Sequence, residues 1–236
     1  MKNIVIIGSE GTIGGAVTEN FKDDFLIKID KSFGNKFIEY SESIELSCDI
    51  TSDEGLNKIY EILNEKQIRI DGVIYLAGVN YMRNFFTSSP ESWKNTFEIN
   101  VFGIVHFLKR IYSLFAEKIS IVCVASQNGV VGHEDRIDYG PSKAAIIQLV
   151  KNLSIDFAKY SNKDVKVNCV SPSYVVTKEN KAYFDSFPGL ELRNRIPFKK
   201  LVTPLEVAHV IDFLMSNKSD AIRGQNIVID YGYTIV

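Results

Sequence analysis

The sequence predicts an α/β fold of the doubly wound, Rossmann-like kind: a parallel sheet with helices on both faces, in a single domain. Two observations predict it. Short apolar runs rich in Val and Ile recur at Asn3–Ile7, Phe25–Ile29, Gly72–Leu76, Ile119–Val124, Val165–Val170 and Asn226–Ile229. They lack the polar alternation of a half-exposed strand and read as strands buried on both faces. Between them lie helical periodicities at Ile13–Phe21, Glu54–Asn64, Pro90–Phe115, Ser142–Tyr160 and Pro204–Ser216, several opened by Ser, Thr, Asp or Pro. Alternation of strand and helix implies parallel strands joined by helical crossovers. No repeat, low-complexity tract or Gly/Ser linker interrupts the 236 residues, which read as one domain.

Each element brings residues with chemical consequence. The first strand runs into Gly8-Ser9-Glu10-Gly11-Thr12-Ile13-Gly14-Gly15 and then a helix. The glycines permit a tight turn and let a pyrophosphate approach the helix N-terminus. The second strand ends at Asp30, about 20 residues on, where a carboxylate can hold an adenosine ribose 2′-hydroxyl. That choice favours NAD, since a carboxylate repels the 2′-phosphate of NADP; the adjacent Lys31 keeps NADP open. Tyr139-Gly140-Pro141-Ser142-Lys143 stacks a phenol and an ammonium on one helical face. A cation there is expected to pull the phenol down from its ordinary pKa of about 10, toward the working range of an acid–base group. Residues 174–203 follow the strand Val165–Val170 and show no clear pattern, so they are expected to form an irregular substrate lid.

Composition narrows the function classes. With 45% hydrophobic and 24% charged residues, and 27 Lys plus Arg against 29 Asp plus Glu, the chain has no basic excess for a phosphate backbone. Nucleic acid is not an expected partner. No apolar run is long enough to span a bilayer or to serve as a signal-peptide core, so a membrane partner is not expected and the protein reads as cytoplasmic. Cys48, Cys123 and Cys169 are odd in number and widely spaced; they suggest buried thiols, with no disulfide framework and no metal site.

The whole ordered set resembles the short-chain dehydrogenase/reductase family, in its short single-domain form, over essentially the entire chain. The resemblance rests on the glycine turn Gly8 to Gly14, Cys48-Asp49-Ile50 after a third strand, and Leu76-Ala77-Gly78 after a fourth. It continues with Asn100 in the next long helix, Ser126 after the fifth strand and Tyr139 with Lys143 thirteen residues later. Asn168-Cys169-Val170-Ser171-Pro172 and the stretch from Arg195-Ile196-Pro197 to Asp230-Tyr231-Gly232 complete it.

The resemblance implies hydride transfer between a nicotinamide cofactor and a carbonyl or secondary alcohol carbon. Tyr139 would be general acid or base, Ser126 would bond the substrate oxygen, Lys143 would depress the phenol pKa and bind the nicotinamide ribose, and Asn100 would hold a relay water. It extends the cofactor set to Ser9, Thr12, Ile13, Asp49, Ile50, Ala77, Gly78, Pro172, Val175 and Thr177, besides Gly8, Gly11, Gly14, Asp30, Lys31, Tyr139 and Lys143. Ser126, Gln127, Asn128, Tyr139 and Tyr174 are the expected substrate contacts, and His133 reads as a surface-loop histidine.

Six basic residues between 174 and 203 (Lys178, Lys181, Arg193, Arg195, Lys199 and Lys200) suggest an anionic or polyhydroxylated substrate, such as a sugar derivative or an acyl thioester. Apolar residues on two long helices, including Trp93, Phe97, Val101, Phe107, Ile146, Leu149, Leu153 and Phe157, imply by the same resemblance a homodimer or homotetramer. Some residues depart from the family pattern. Thr12 replaces a glycine, giving a spacing commoner in epimerases and dehydratases. Tyr75-Leu76 replace an asparagine pair, Ser173 replaces a glycine after Pro172, and Tyr231 replaces a late glycine. The alternatives are a nucleotide-sugar epimerase or dehydratase, for which little chain remains after Lys143, and a non-catalytic dinucleotide sensor, against which the retained catalytic set argues.

Overall fold

The computed structural model describes residues 1–34 and 37–236. The elements are β1 (Asn3–Ile7), α1 (Gly14–Asn20), β2 (Phe25–Ile29), β3 (Phe37–Glu39), β4 (Ser43–Leu46), α2 (Asp53–Glu65), β5 (Ile70–Tyr75), α3 (Pro90–Phe97) and α4 (Gly103–Ile111). There follow β6 (Phe115–Val124), α5 (Tyr139–Tyr160), β7 (Asp164–Pro172), α6 (Lys181–Phe184), α7 (Phe187–Asn194), α8 (Pro204–Met215) and β8 (Asn226–Ile229). The strands make one eight-stranded sheet in the order β3-β4-β2-β1-β5-β6-β7-β8. Every pairing is parallel except that of β3 with β4.

The near-continuous apolar runs serve two cores at once. In β1, Ile4 and Ile6 join Val17 of α1, Phe21 just after it, and Val207, Ile211 and Leu214 of α8. Val5 and Ile7 point the other way, to Leu56 and Ile59 of α2, Phe107 of α4 and Ile146 of α5. This is the doubly wound arrangement, and each such side chain buried contributes about 1.5–3 kcal/mol.

Several expectations are corrected. The six apolar runs are strands, but β5, β6 and β7 start earlier than the runs suggest. The third strand, β4, alternates: Ile44 and Leu46 are buried while Ser43 and Glu45 are half-buried. Glu45 pairs with Lys28 of β2 at 2.6 Å. One polar face on a strand near the sheet edge hides it from a search for unbroken runs. The expected helix Pro90–Phe115 is broken into α3, a π turn at Glu98–Phe102, α4 and a 3₁₀ turn at Tyr112–Leu114, with Phe115 already in β6. Tyr75 accounts for the π turn. Its hydroxyl donates to the Ile99 carbonyl at 2.9 Å, and Gly103 leaves room for it, since a Cβ there would stand 2.5 Å from the Tyr75 oxygen.

Residues 174–203 are not irregular. They hold α6 and α7, and their ends are stapled where Val176 N donates to Val202 O at 2.8 Å and Val202 N to Tyr174 O at 3.0 Å. Helices this short lie below what periodicity resolves. Among the described residues no helix is long and apolar enough to cross a membrane, and no three His, Cys, Asp or Glu side chains group to hold a metal. All three cysteines are free and buried.

Candidate active site

The strand order reverses direction at β1, with β2 and β4 on one side and β5 on the other, so a crevice opens over the carboxyl ends. Gly8 makes it possible. Its φ is +83°, and a Cβ on it would stand 2.8 Å from Ala77 N, so the turn after β1 can lie directly on the turn after β5. A cavity of about 320 Å³ results. Of the expected cofactor residues, Gly8, Gly11, Asp30, Lys31, Asp49, Ile50, Ala77 and Gly78 line it. Glu10, Ser32, Cys48, Val79 and Ile99 line it too and were missed, although all but Ile99 adjoin motif residues at strand ends.

Ser9, Thr12, Ile13 and Gly14 do not line the cavity. Ser9 is buried with its hydroxyl unpaired, Gly14 opens α1, and Thr12 is exposed. Pro172, Val175 and Thr177 lie further along, at the carboxyl end of β7. Asp30 is held rigidly at the cavity: Oδ2 accepts from Glu10 N at 3.0 Å, and Oδ1 from Ser32 N at 2.9 Å and Ser32 Oγ at 2.8 Å. A carboxylate offers about four acceptor sites, which leaves one for a ligand hydroxyl. The carboxylate and the close-packed turns fit the adenosine half of a dinucleotide.

The chemical groups converge one step along the sheet. Ser126 lies two residues beyond the end of β6, where its Oγ accepts from Asn128 N at 3.2 Å. Tyr139 is the first residue of α5, three residues earlier than the periodicity suggests, because Asp138 caps the helix there. The fully buried Asp138 carboxylate accepts from Tyr139 N at 2.8 Å and from Thr96 Oγ1 at 2.9 Å. Burial pushes the Tyr139 phenol up, outweighing the lowering by the Ser126 hydroxyl and by Arg136. The expected lowering by Lys143 is therefore not what this chain shows. Lys143 is buried, its Nζ 5.5 Å from the Tyr139 ring centroid and donating to Val124 O at 2.8 Å. Desolvation lowers it instead, to about 8.

Asn100 sits on the π turn and is fully buried. Its Oδ1 accepts from Val79 N at 2.8 Å, and its Nδ2 donates to Val79 O at 3.1 Å and Ser142 Oγ at 2.9 Å. Asn100 thus ties the β5 turn to α5. A Cβ on Gly78 would stand 3.2 Å from Asn100 Oδ1 and 3.3 Å from Lys143 Nζ, so cofactor turn, clamp and ammonium meet at one point. Ser142 belongs to this clamp and was missed; a helical serine carries no distinguishing signal.

Of the expected substrate contacts, Gln127 is 2% exposed, while Asn128 and Tyr174 are half-buried. His133 is no surface-loop residue. Its side chain is 8% exposed and its Nε2 lies 2.7 Å from the Tyr174 hydroxyl. The six basic residues of the 174–203 segment are all exposed. Lys181 pairs with Asp185 at 2.6 Å, and Arg193 donates to Lys199 O at 2.6 Å.

Comparison with known proteins agrees with this geometry. Residues 27–234 match the family described as Enoyl-(Acyl carrier protein) reductase. The chain is 29% identical to the NAD-dependent glycerol dehydrogenase of Listeria innocua serovar 6a, over 99% of this chain and 94% of the relative. It is 30% identical to the 3-oxoacyl-(acyl-carrier-protein) reductase FabG of Buchnera aphidicola subsp. Schizaphis graminum, over 98% and 87%. The solved structure of a short chain dehydrogenase family protein from Francisella tularensis superposes with a TM-score of 0.86 at 27% identity, with all of both chains covered. The glycine turn against β5, the ordered Ser, Tyr and Lys beyond it and the match along the whole length place this chain in the short-chain dehydrogenase/reductase family, as a nicotinamide-dependent oxidoreductase acting at alcohol or carbonyl carbons.

Proposed function

We propose that Ser126, Tyr139 and Lys143, with Asn100 as their clamp, carry the hydride-transfer chemistry of this chain. The observation behind the reading is the meeting of Lys143, Asn100 and the cavity-lining Gly78 at one point, with Tyr139 a helical turn away and Ser126 beside it. A nicotinamide cofactor supplies the hydride acceptor for an alcohol carbon or the donor for a carbonyl carbon. Gly8, Gly11, Asp30, Asp49, Ile50, Ala77 and Gly78 would hold its adenosine half, on a turn shaped by Ser9, Thr12, Ile13 and Gly14, while Pro172, Val175 and Thr177 complete the cradle. Ser126 bonds the reacting oxygen and Tyr139 exchanges a proton with it, as acid in reduction and base in oxidation. The raised phenol keeps its proton at neutral pH, the form the acid role needs. Asn100 spends both amide protons on protein; one lone pair of Oδ1 is left for a relay water.

The rigid Asp30 carboxylate, with one acceptor site free, supports NAD as the preferred cofactor. The buried amide and phenol beside Ser126 support a polar substrate, with residues 174–203 as its cover. Partly covered apolar side chains such as Phe97, Leu149, Leu153 and Phe157, with Phe102 and Ile155 exposed, support pairing of copies into a homodimer or homotetramer. The three free thiols suit a reducing, cytoplasmic setting. The test is nicotinamide absorbance turnover against a panel of alcohols and ketones with Tyr139→Phe beside the wild type. Loss of about 10²–10⁴-fold in kcat is expected; undiminished turnover removes the mechanism.

A further inference from the structure

The short turn after β8 touches both ends of the 174–203 segment. It is well braced in itself: Asp230 Oδ1 accepts from Gly232 N at 2.8 Å, and Oδ2 from Thr234 N and Thr234 Oγ1, each at 2.7 Å. At the start of the segment, the Tyr233 ring stands edge-on to Tyr174 with centroids 5.5 Å apart. Tyr174 in turn reaches His133 Nε2 at 2.7 Å, on the loop between Ser126 and Tyr139, so this end is tied to the chain that carries the proposed chemistry. At the other end Gly232 packs on Pro197, whose Cγ would lie 3.4 Å from a Cβ added there. Lys200 Nζ sits 5.8 Å from the centroid of the Tyr231 ring.

Tyr231 makes the join. Its φ is +50°, in the left-handed region that glycine enters freely and a tyrosine resists. Strain of this kind persists only where the surroundings hold the residue in place. The Tyr231 hydroxyl donates to Glu206 Oε1, and Oε2 of the same carboxylate accepts from Thr203 N at 2.7 Å and Thr203 Oγ1 at 2.9 Å. Thr203 is both the last residue of the segment and the cap of α8, whose Val207 and Ile211 are fully buried. One carboxylate thus fastens the end of the segment to the C-terminal turn, and the same turn meets the segment's start. We propose that Tyr231 is a positioning residue: through Glu206 it makes the C-terminal turn a clasp that keeps residues 174–203 seated. Its bearing on turnover rests on the reading of that segment as the substrate's cover.

The six exposed lysines and arginines of the segment are trypsin sites, so limited digestion with fragments followed by mass spectrometry reads how often the segment opens. Tyr231→Phe keeps the ring and the strained backbone and removes only the hydroxyl. Cleavage between residues 178 and 200 is expected to quicken by about tenfold or more, with cleavage elsewhere and NADH affinity unchanged. Tyr231→Gly relieves the backbone but loses every side-chain contact, and is expected to be cleaved at least as fast as Tyr231→Phe. For the alcohols and ketones that the wild type turns over, Tyr231→Phe is expected to raise KM by about fivefold or more with a smaller change in kcat. Unchanged cleavage of the segment in both variants overturns the proposal. So does equal acceleration at every site, which would mark general loss of stability. Faster cleavage confined to the segment with KM unchanged instead overturns the reading of residues 174–203 as a cover, and with it any part for Tyr231 in turnover.

Discussion

Replacing Lys143 by Met separates the cost of a buried ammonium from its use. Desolvation lowers Lys143 from 10.5 to about 8. At about 1.4 kcal/mol per pH decade, that drop amounts to about 3 kcal/mol of stability withheld from the folded chain while the ammonium is charged. Below pH 8 both folded and unfolded chains hold the proton and the cost is fully present. Between pH 8 and 10.5 the folded chain has released the proton while the unfolded chain keeps it, so stability rises with pH.

Lys143→Met has no such group. The difference in unfolding free energy, wild type minus variant, is therefore expected to grow by about 2–3 kcal/mol between pH 7 and pH 10, read by urea denaturation of both chains in the same buffers. Groups common to both cancel. At pH 7 the two should lie close together, because the variant escapes the buried cation but leaves Val124 O without its donor at 2.8 Å, a loss of about 1.5–3 kcal/mol. Oxidoreductase turnover is expected to collapse in the variant at every pH. Parallel pH profiles for the two chains would refute the argument, since they would mean that Lys143 titrates as it does in water.

Asp138→Ala removes the cap of α5 and the bond from Thr96 together, and is expected to cost about 2 kcal/mol or more, or about 4–8 °C in Tm for a chain of this size. Its kcat should fall as well, because Tyr139 loses its anchor. Tyr75→Phe deletes the bond to the Ile99 carbonyl that accompanies the π turn; a loss of about 1 kcal/mol by denaturant titration and a lower kcat with little change in NADH affinity are expected. Asp30→Ser removes the charge that opposes a 2′-phosphate, and the ratio of kcat/KM with NADP to that with NAD is expected to rise by about tenfold or more; an unchanged ratio would take cofactor choice away from Asp30.

How much of this was legible depended on whether the cause was local. The buried strands announced themselves because β1, β5, β6 and β7 face two cores and tolerate few polar residues. The glycine turn was legible because Gly8 adopts a backbone conformation that other residues resist. β4 was not, because one of its faces meets water and Ile44 and Leu46 look like any two apolar residues in a polar stretch. Most cofactor residues with a motif role were found, while Glu10 and Cys48, which lie inside motifs without a role of their own, Ser32 and Val79 beside motifs, and Ile99, which has none, were not. His133 was misread because nothing near it in sequence reveals Tyr174, 41 positions away.

The sequence by itself determined the doubly wound class and the glycine turn, which follow from periodicity and from spacing within single elements, while the family and the roles of Ser126, Tyr139 and Lys143 came from a resemblance carried by the order of motifs along the whole chain. Only the tertiary structure decided the break in the long helix, where Tyr75 reaches Ile99, and the clamp that Asn100 makes between Val79 and Ser142. It also decided which titratable group is shifted toward neutrality. Spacing brings Tyr139 and Lys143 together, but a pKa answers to every atom that excludes water around a group, and burial under β6 and α5 outweighs the partner four residues away.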